Sequence, residues 1–343
     1  MATADALPVD VHTVGPALQP AALALDVGGT KLAAGVVDDA GTVHSFVVSP
    51  TRTERGRDQA LDRLFELGRR AVAESGLGWE QVQAVGIGCG GPLDAAAGVL
   101  VAPLHLPDWR DVPIVALAER EYERPAALEN DATAAAAGEY RYGAGRGRRN
   151  MVYLTISTGV GGGVVVDGRL YRAAGGNGGE LGHVTVDWHG RLCRGCGRRG
   201  CLEAYVSGTS IAERAQEALG ARHQPSMLDA LEDVTAEDVA AAARGGDRLA
   251  AAIWDETVEA LACGLTSIVN LFEPELVVVG GGVSRTGEQL LGPVRERVQV
   301  ETVRPMGEEL DIVCSALGDR VGVVGAAAIA FDRLGSEVMP THG

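Results

Sequence analysis

Leu25-Asp26-Val27-Gly28-Gly29-Thr30-Lys31 sets two glycines, a hydroxyl and a cation directly behind an apolar run. Glycines let backbone N–H groups approach phosphate oxygens without a Cβ clash. Thr30 adds a hydroxyl donor and Lys31 a charge. Asp26 closes the apolar run, where a carboxylate can hold Mg²⁺ through water. The bland alternative is an ordinary glycine hairpin with Asp26 in solvent, since short Gly motifs are common. A second stretch, Ser157-Thr158-Gly159-Val160-Gly161-Gly162-Gly163, reads as a turn and weighs against that alternative. Two Gly turns at equivalent places in two lobes can grip a nucleoside triphosphate from both sides. Gly280-Gly281-Gly282 follows another apolar run and suits an adenosine face; a plain strand-to-helix turn is its alternative.

Asn130-Asp131 ends a strand-like run and opens an Ala-rich helix. A helix N-terminus favours Asp131 as the anion. Such a carboxylate can take the proton of a substrate hydroxyl as it attacks a γ-phosphate. A simple N-cap, which Asp serves well, is the alternative. Glu180-Leu181-Gly182-His183 is followed by Cys193-Arg194-Gly195-Cys196 and, past Gly200, by Cys201. One His and three Cys form a tetrahedral set of Zn²⁺ type, structural because four protein ligands leave no open position. Free thiols or a redox pair are the alternatives, and Cys193-Arg-Gly-Cys196 lacks a thioredoxin-like setting. Cys89, Cys263 and Cys314 lie on apolar elements and are expected in the core. Glu203 follows the cluster and, with Glu180 and His183, supplies the acceptors and donors that sugar hydroxyls need. A solvent-exposed helix start is the alternative for Glu203.

The elements that must hold these groups follow from hydrophobic periodicity. Alternating runs at 22–27, 32–37 and 43–48 predict a three-stranded meander. A helix is predicted over 58–75, capped by Gly76, then a strand over 82–89, a helix over 112–123 and a strand over 126–129. The pattern restarts with strands at 151–157 and 164–167, and later at 276–279 and 311–314. Helices are expected from about 210, over 249–271, near 286–299 and over 323–334, with 220–235 an exposed excursion. Two similar halves imply a duplicated two-lobed α/β protein with its ligands in the cleft. The expected division is a flexible tail at 1–20, a small lobe at 21–133 plus 323–343, and a large lobe at 134–322. The large lobe carries a zinc loop at 183–201.

Of the 343 residues 46% are hydrophobic and 22% charged, which fits a globular chain. The net charge of −16 argues against nucleic-acid or anionic-membrane partners. No apolar run approaches the roughly 18 residues of a membrane helix. The first twenty residues hold no Lys or Arg and do not read as a secretory signal, so a reducing cytoplasm is expected.

Taken together, these motifs resemble the ROK family (repressors, open reading frames, kinases), a branch of the actin-like sugar kinases. The resemblance covers about 23–334. It rests on Asp26-x-Gly-Gly-Thr-Lys31, Asn130-Asp131, Thr158-Gly-x-Gly-Gly-Gly163, Glu180-x-Gly-His183, the Cys cluster with Glu203, and Gly280-Gly-Gly282. It implies an actin-like (RNase H-like) fold and ATP-dependent phosphorylation of a sugar hydroxyl with Mg²⁺. Asp131 would be the base. Asn130, Asp131, Glu180, His183 and Glu203 would bind the sugar, with His183 giving one ring nitrogen to zinc and the other to the substrate. Gly91 and His105 fall in segments that border the sugar pocket of the family. A homodimer or homotetramer is the implied assembly.

Two departures stand out. Two residues, not one, separate Cys193 from Cys196, so Cys193 is either retained or displaced. His105 stands where many relatives carry Asn, which bears on the acceptor: glucose by default, otherwise N-acetylmannosamine, fructose or a sugar-like C7 cyclitol of specialised metabolism. A sugar-responsive repressor would need a helix-turn-helix module of roughly 60 residues ahead of Asp26, where only 25 stand, without Lys or Arg. A catalytically silent sugar sensor is the remaining alternative.

Overall fold

The computed structural model describes residues 19–221 and 225–338. The tail expected at 1–20 therefore lies outside the described residues, apart from 19 and 20, as do 222–224 of the expected excursion and 339–343.

The first half runs β1 (Ala21–Val27), β2 (Lys31–Asp38), β3 (Val43–Pro50), α1 (Arg57–Ser75), β4 (Val82–Cys89), β5 (Leu93–Asp94), β6 (Val99–Leu100), α2 (Ile114–Tyr122), β7 (Ala126–Asn130) and α3 (Asp131–Tyr142). Its main sheet is ordered β3-β2-β1-β4-β7. β2 is antiparallel to β1 and β3, whereas β1, β4 and β7 are parallel. The second half runs β8 (Met151–Ile156), β9 (Val160–Val166), β10 (Arg169–Leu170), α4 (Glu203–Val206), α5 (Gly208–Ala221), α6 (Ala236–Arg244), α7 (Arg248–Phe272), β11 (Leu276–Gly280), α8 (Glu288–Glu301), β12 (Asp311–Cys314) and α9 (Val321–Val338). Its sheet, β10-β9-β8-β11-β12, repeats the same order and the same strand directions. The duplication inferred from sequence is thus a repeat of topology.

Side-chain size decides how closely each helix approaches. In β1, Leu23, Leu25 and Val27 point into the core under α1 and α2, while Ala22 and Ala24 face α9. Fully burying each Leu contributes roughly 1.5–3 kcal/mol. The alanine face lets α9 lie close, and Gly86 of β4 has no room for a Cβ beneath the Ala326 carbonyl. The last helix of the chain therefore packs back on the first sheet, across β1 and β4, and beside α3.

The same logic corrects one strand boundary. Residues 160–163 do not form a turn; they begin β9. A Cβ on Gly161 would stand 2.7 Å from Cβ of Ala132, and one on Gly163 would stand 2.6 Å from Cβ of Ala136. Ala132 and Ala136 lie one turn apart on α3, so the glycines let that helix press onto the strand. Helix α6 was not expected from periodicity. Its start is marked by a capping box in which Thr235 and Asp238 bond each other's backbone N–H. Cys89 is buried and Cys263 half-buried, but Cys314, expected in the core, is exposed at the end of the outer strand β12.

Candidate active site

Parallel pairing brings three strand ends abreast: Val27 lies beside Cys89, and Cys89 beside Asn130. Asp26 stands one residue earlier, in a row with Gly88 and Glu129. The crevice beyond the carboxyl ends of such strands is where ligands bind in open α/β sheets.

Asn130, not Asp131, caps α3. Its Oδ1 accepts the N–H groups of Ala132 and Thr133 at 3.0 and 3.2 Å. Its Nδ2 turns to Gly91, where a built Cβ would stand 3.9 Å away. Asp131 takes the first helical position, and its Oδ1 accepts the Ala132 N–H at 2.8 Å. Oδ2 faces Gly90, 3.8 Å from where its Cβ would be. Asp131 is exposed toward the strand ends, yet protein atoms surround its carboxyl closely enough to desolvate it. That desolvation raises its carboxyl above the ordinary value, against the Ala132 hydrogen bond and the charge of His105. The helix N-terminus alone would hold it as a firm anion; desolvation outweighs it. The result is a carboxylate moved toward the pH at which a general base works best.

Asp26 is pushed up to about 6 by burial and then by the neighbouring Asp131 charge, with Lys31 opposing. Gly322, at the start of α9, sits against this carboxylate and leaves no space for a Cβ. Behind the β1–β2 turn, the Thr51 hydroxyl donates to the Gly28 carbonyl at 2.6 Å and the Thr51 N–H to the Thr30 carbonyl at 2.9 Å. The turn carbonyls are thereby held from the rear, and Thr30 and Lys31 remain exposed. Gly29 meets something the sequence did not suggest. A Cβ there would stand 2.6 Å from both the Cβ and the carbonyl oxygen of His105. Gly29 is glycine at least because the His105 segment lies on it, so His105 rests against the turn while its charge reaches Asp131.

In the second half the turn is confined to residues 157–159, where the Ser157 N–H donates to the Gly159 carbonyl at 2.9 Å. Thr158 is exposed. Gly161 serves the α3 contact described above, and Gly162 fits against Leu181 and the Gly179 carbonyl. Gly281 has φ +87° and no room for a Cβ under the Ile156 carbonyl, so packing explains it. Gly282 has nothing within 4 Å of a built Cβ and opens to solvent.

His183, Cys193, Cys196 and Cys201 come together, their ligand atoms all within 4.8 Å of one another. Cys193 is not displaced by the extra residue: its Sγ lies 3.7 Å from Nδ1 of His183, and Cys196 and Cys201 Sγ are 3.4 Å apart. The soft thiol and imidazole donors fit a zinc-type ion and no hard cation. Nδ1 of His183 faces the thiols, while Nε2 is 3.9 Å from Oε2 of the exposed Glu180. Glu203 lies between the cluster and the second turn. Its Oε1 is 3.3 Å from Cys193 Sγ, and its Oε2 accepts the Val160 N–H at 2.9 Å.

Sequence reasoning missed Glu129. It is buried beside Asn130 and paired at 2.7 Å with Nε of Arg172, which follows β10 in the other half. A lone carboxylate inside the apolar run of β7 was the available signal, because such groups stay buried only when partnered.

Duplicated five-stranded sheets, hairpin turns at matching positions and two helices crossing between the halves define the actin-like class of α/β fold. Residues 22–333 match the ROK family, and the chain belongs to it. It is 37% identical to a glucokinase of Thermotoga maritima over 91% of this chain and 98% of that protein. A ROK hexokinase of Thermus thermophilus superposes with a TM-score of 0.76 at 36% identity, covering 92% of this chain and 99% of that one. A ROK glucokinase of Streptomyces griseus, solved with glucose and AMPPNP, gives a TM-score of 0.76 at 34% identity, covering 91% and 99%.

Proposed function

We propose that this chain transfers the γ-phosphate of ATP to a hydroxyl of a hexose, glucose first. The observation that carries the reading is Asp131. Its neighbour Asn130 does the capping, so the Asp131 carboxylate keeps one oxygen turned toward Gly90 at the cleft. A carboxylate so placed accepts the acceptor hydroxyl's proton as the oxygen attacks phosphorus.

The Streptomyces griseus enzyme was solved with glucose, which supports a sugar substrate; on our reading the sugar lies against Asn130, Asp131, Gly91, His105, Glu180, His183 and Glu203. The nucleotide lies between Gly28, Gly29, Thr30 and Lys31 on one side and Thr158, Gly159, Gly161 and Gly162 on the other. Gly281 and Gly282 border the adenosine. Asp26 is the group that would hold Mg²⁺, because its carboxylate is poorly stabilised in a cleft without a cation. Mg²⁺ supplies neutralisation of the phosphate charge. His183, Cys193, Cys196 and Cys201 would hold zinc, which would order a segment with little apolar content of its own. Holding Nδ1 fixes the tautomer of His183 and aims Nε2 at the acceptor. The lobes divide near residues 133 and 322, and the assembly is a homodimer or homotetramer in the cytoplasm.

ADP release measured with ATP and Mg²⁺ across glucose, mannose, fructose, N-acetylmannosamine and C7 cyclitols tests the reading. Turnover on a hexose is expected. Turnover on a cyclitol alone would reassign the acceptor, and none on any would favour a silent sensor.

A further inference from the structure

One ion pair joins the two halves directly behind the candidate catalytic groups. Glu129 is 1% exposed and lies on β7, next to Asn130. Successive strand side chains point to opposite faces, so Glu129 points away from the cap side chain. Its Oε1 accepts the backbone N–H of Asn130 at 3.1 Å, and its Oε2 accepts Nε–H of Arg172 at 2.7 Å. A single carboxylate thus holds both the residue that caps α3 and the first residue of the stretch leading to Glu180 and His183.

That stretch has little packing of its own to set its path. Residues 171–175 are exposed, and Ala173, Gly176 and Gly179 have positive φ. At its far end it is fixed by the Gly162–Gly179 approach and by His183 in the cysteine cluster. At its near end, Arg172 ties it to the first sheet. We propose that the Glu129–Arg172 pair is a positioning device that sets the acceptor-binding loop against the strand and helix carrying Asn130 and Asp131. The proposal rests on the kinase reading above. It places neither residue on substrate. The pair acts through the spacing between Glu180 and His183 on one side and Asp131 on the other.

Misplacing a binding group by about 1 Å can cost 10²-fold in reactivity. Removing Arg172 alone also leaves a buried carboxylate unpaired, which is the severe half of breaking such a pair. The test compares Arg172→Gln, Arg172→Lys, Glu129→Gln and the Glu129→Gln/Arg172→Gln double variant with the parent. The readouts are KM for sugar, KM for ATP, kcat, sugar Kd by calorimetry and zinc content. Arg172→Gln should raise sugar KM and Kd roughly ten- to a hundredfold, with KM for ATP and zinc content close to the parent. Arg172→Lys should recover most of the loss, because it keeps the charge. The double variant should lose less than the two single losses combined.

A folded Arg172→Gln protein with unchanged sugar KM and Kd overturns the proposal. So does an equal rise in both substrates' KM, or a loss confined to melting temperature and active fraction. Should Arg172→Gln not fold, the lysine and double variants decide by the same readouts. A parent that binds sugar without phosphorylating it removes the kinase reading but leaves Kd to judge the loop. A parent that neither binds nor phosphorylates any sugar overturns both.

Discussion

Replacing Asp26 by Asn should make the ligand-free protein more stable and the catalyst worse. Burial and the Asp131 charge push the Asp26 carboxyl from 3.8 to about 6. At about 1.4 kcal/mol per pH unit, that rise costs the ionised native state about 3 kcal/mol, and residual solvation in the cleft brings it nearer 1–3. Below pH 3.8 the side chain is protonated in both folded and unfolded chains, and its preference for the neutral form is fully satisfied. Between 3.8 and about 6 the unfolded chain ionises while the folded one keeps its proton, so stability falls as pH rises. Above about 6 the loss is complete and constant.

Asn removes the charge at nearly the same volume. The variant should therefore match the parent near pH 4 and exceed it at pH 8, with a gain in melting temperature of roughly 1–4 °C for a chain of this size. Thermal and urea unfolding of both proteins from pH 4 to 8 measures the difference, in which the other titrating groups largely cancel. Turnover with Mg²⁺ and ATP should fall at the same time, a stability gain bought at the active site. A variant less stable than the parent at pH 8, or a difference that does not change between pH 4 and 8, would refute the reasoning.

Three further outcomes are expected. Gly29→Val puts its Cβ 2.6 Å from the His105 backbone and side chain, so it should raise KM for both ATP and sugar; a loss confined to ATP would show that the His105 segment yields without consequence. Gly282→Ala has open space and an ordinary φ of −61°. It should melt like the parent and change only KM for ATP; an unchanged ATP KM would remove Gly282 from the nucleotide site. Cys201→Ser should lower zinc content and sugar affinity together, and metal analysis showing full occupancy would contradict its place among the ligands.

Strand and helix placement was legible because apolar periodicity records burial directly: the first meander, β4, α7 and β12 fall within a residue or two of their expected limits. The cysteine cluster was legible because thiols and imidazole at close spacing have few other uses. Glycine was the ambiguous letter. Gly161 and Gly163 read as part of a phosphate turn and Gly281 as part of an adenosine-facing loop, but the structure gives them packing work against α3 and the Ile156 carbonyl. No local pattern separates a glycine that admits a ligand from one that admits a helix, since both lack a Cβ for the same steric reason. The division of labour at Asn130-Asp131 was hidden likewise, because either residue type can cap a helix. The Glu129–Arg172 pair spans 43 positions, and sequence spacing carries no information about a partner brought in by the second half of the fold.

The most direct test of the account is Asp131→Asn. Asn keeps an oxygen for the Ala132 N–H, so the helix start should survive. Sugar Kd by calorimetry should stay within a few-fold of the parent, while kcat for ADP release falls about 10²–10⁴-fold. Undiminished turnover would take Asp131 out of the base role, and with it the chemical step on which the proposed function rests.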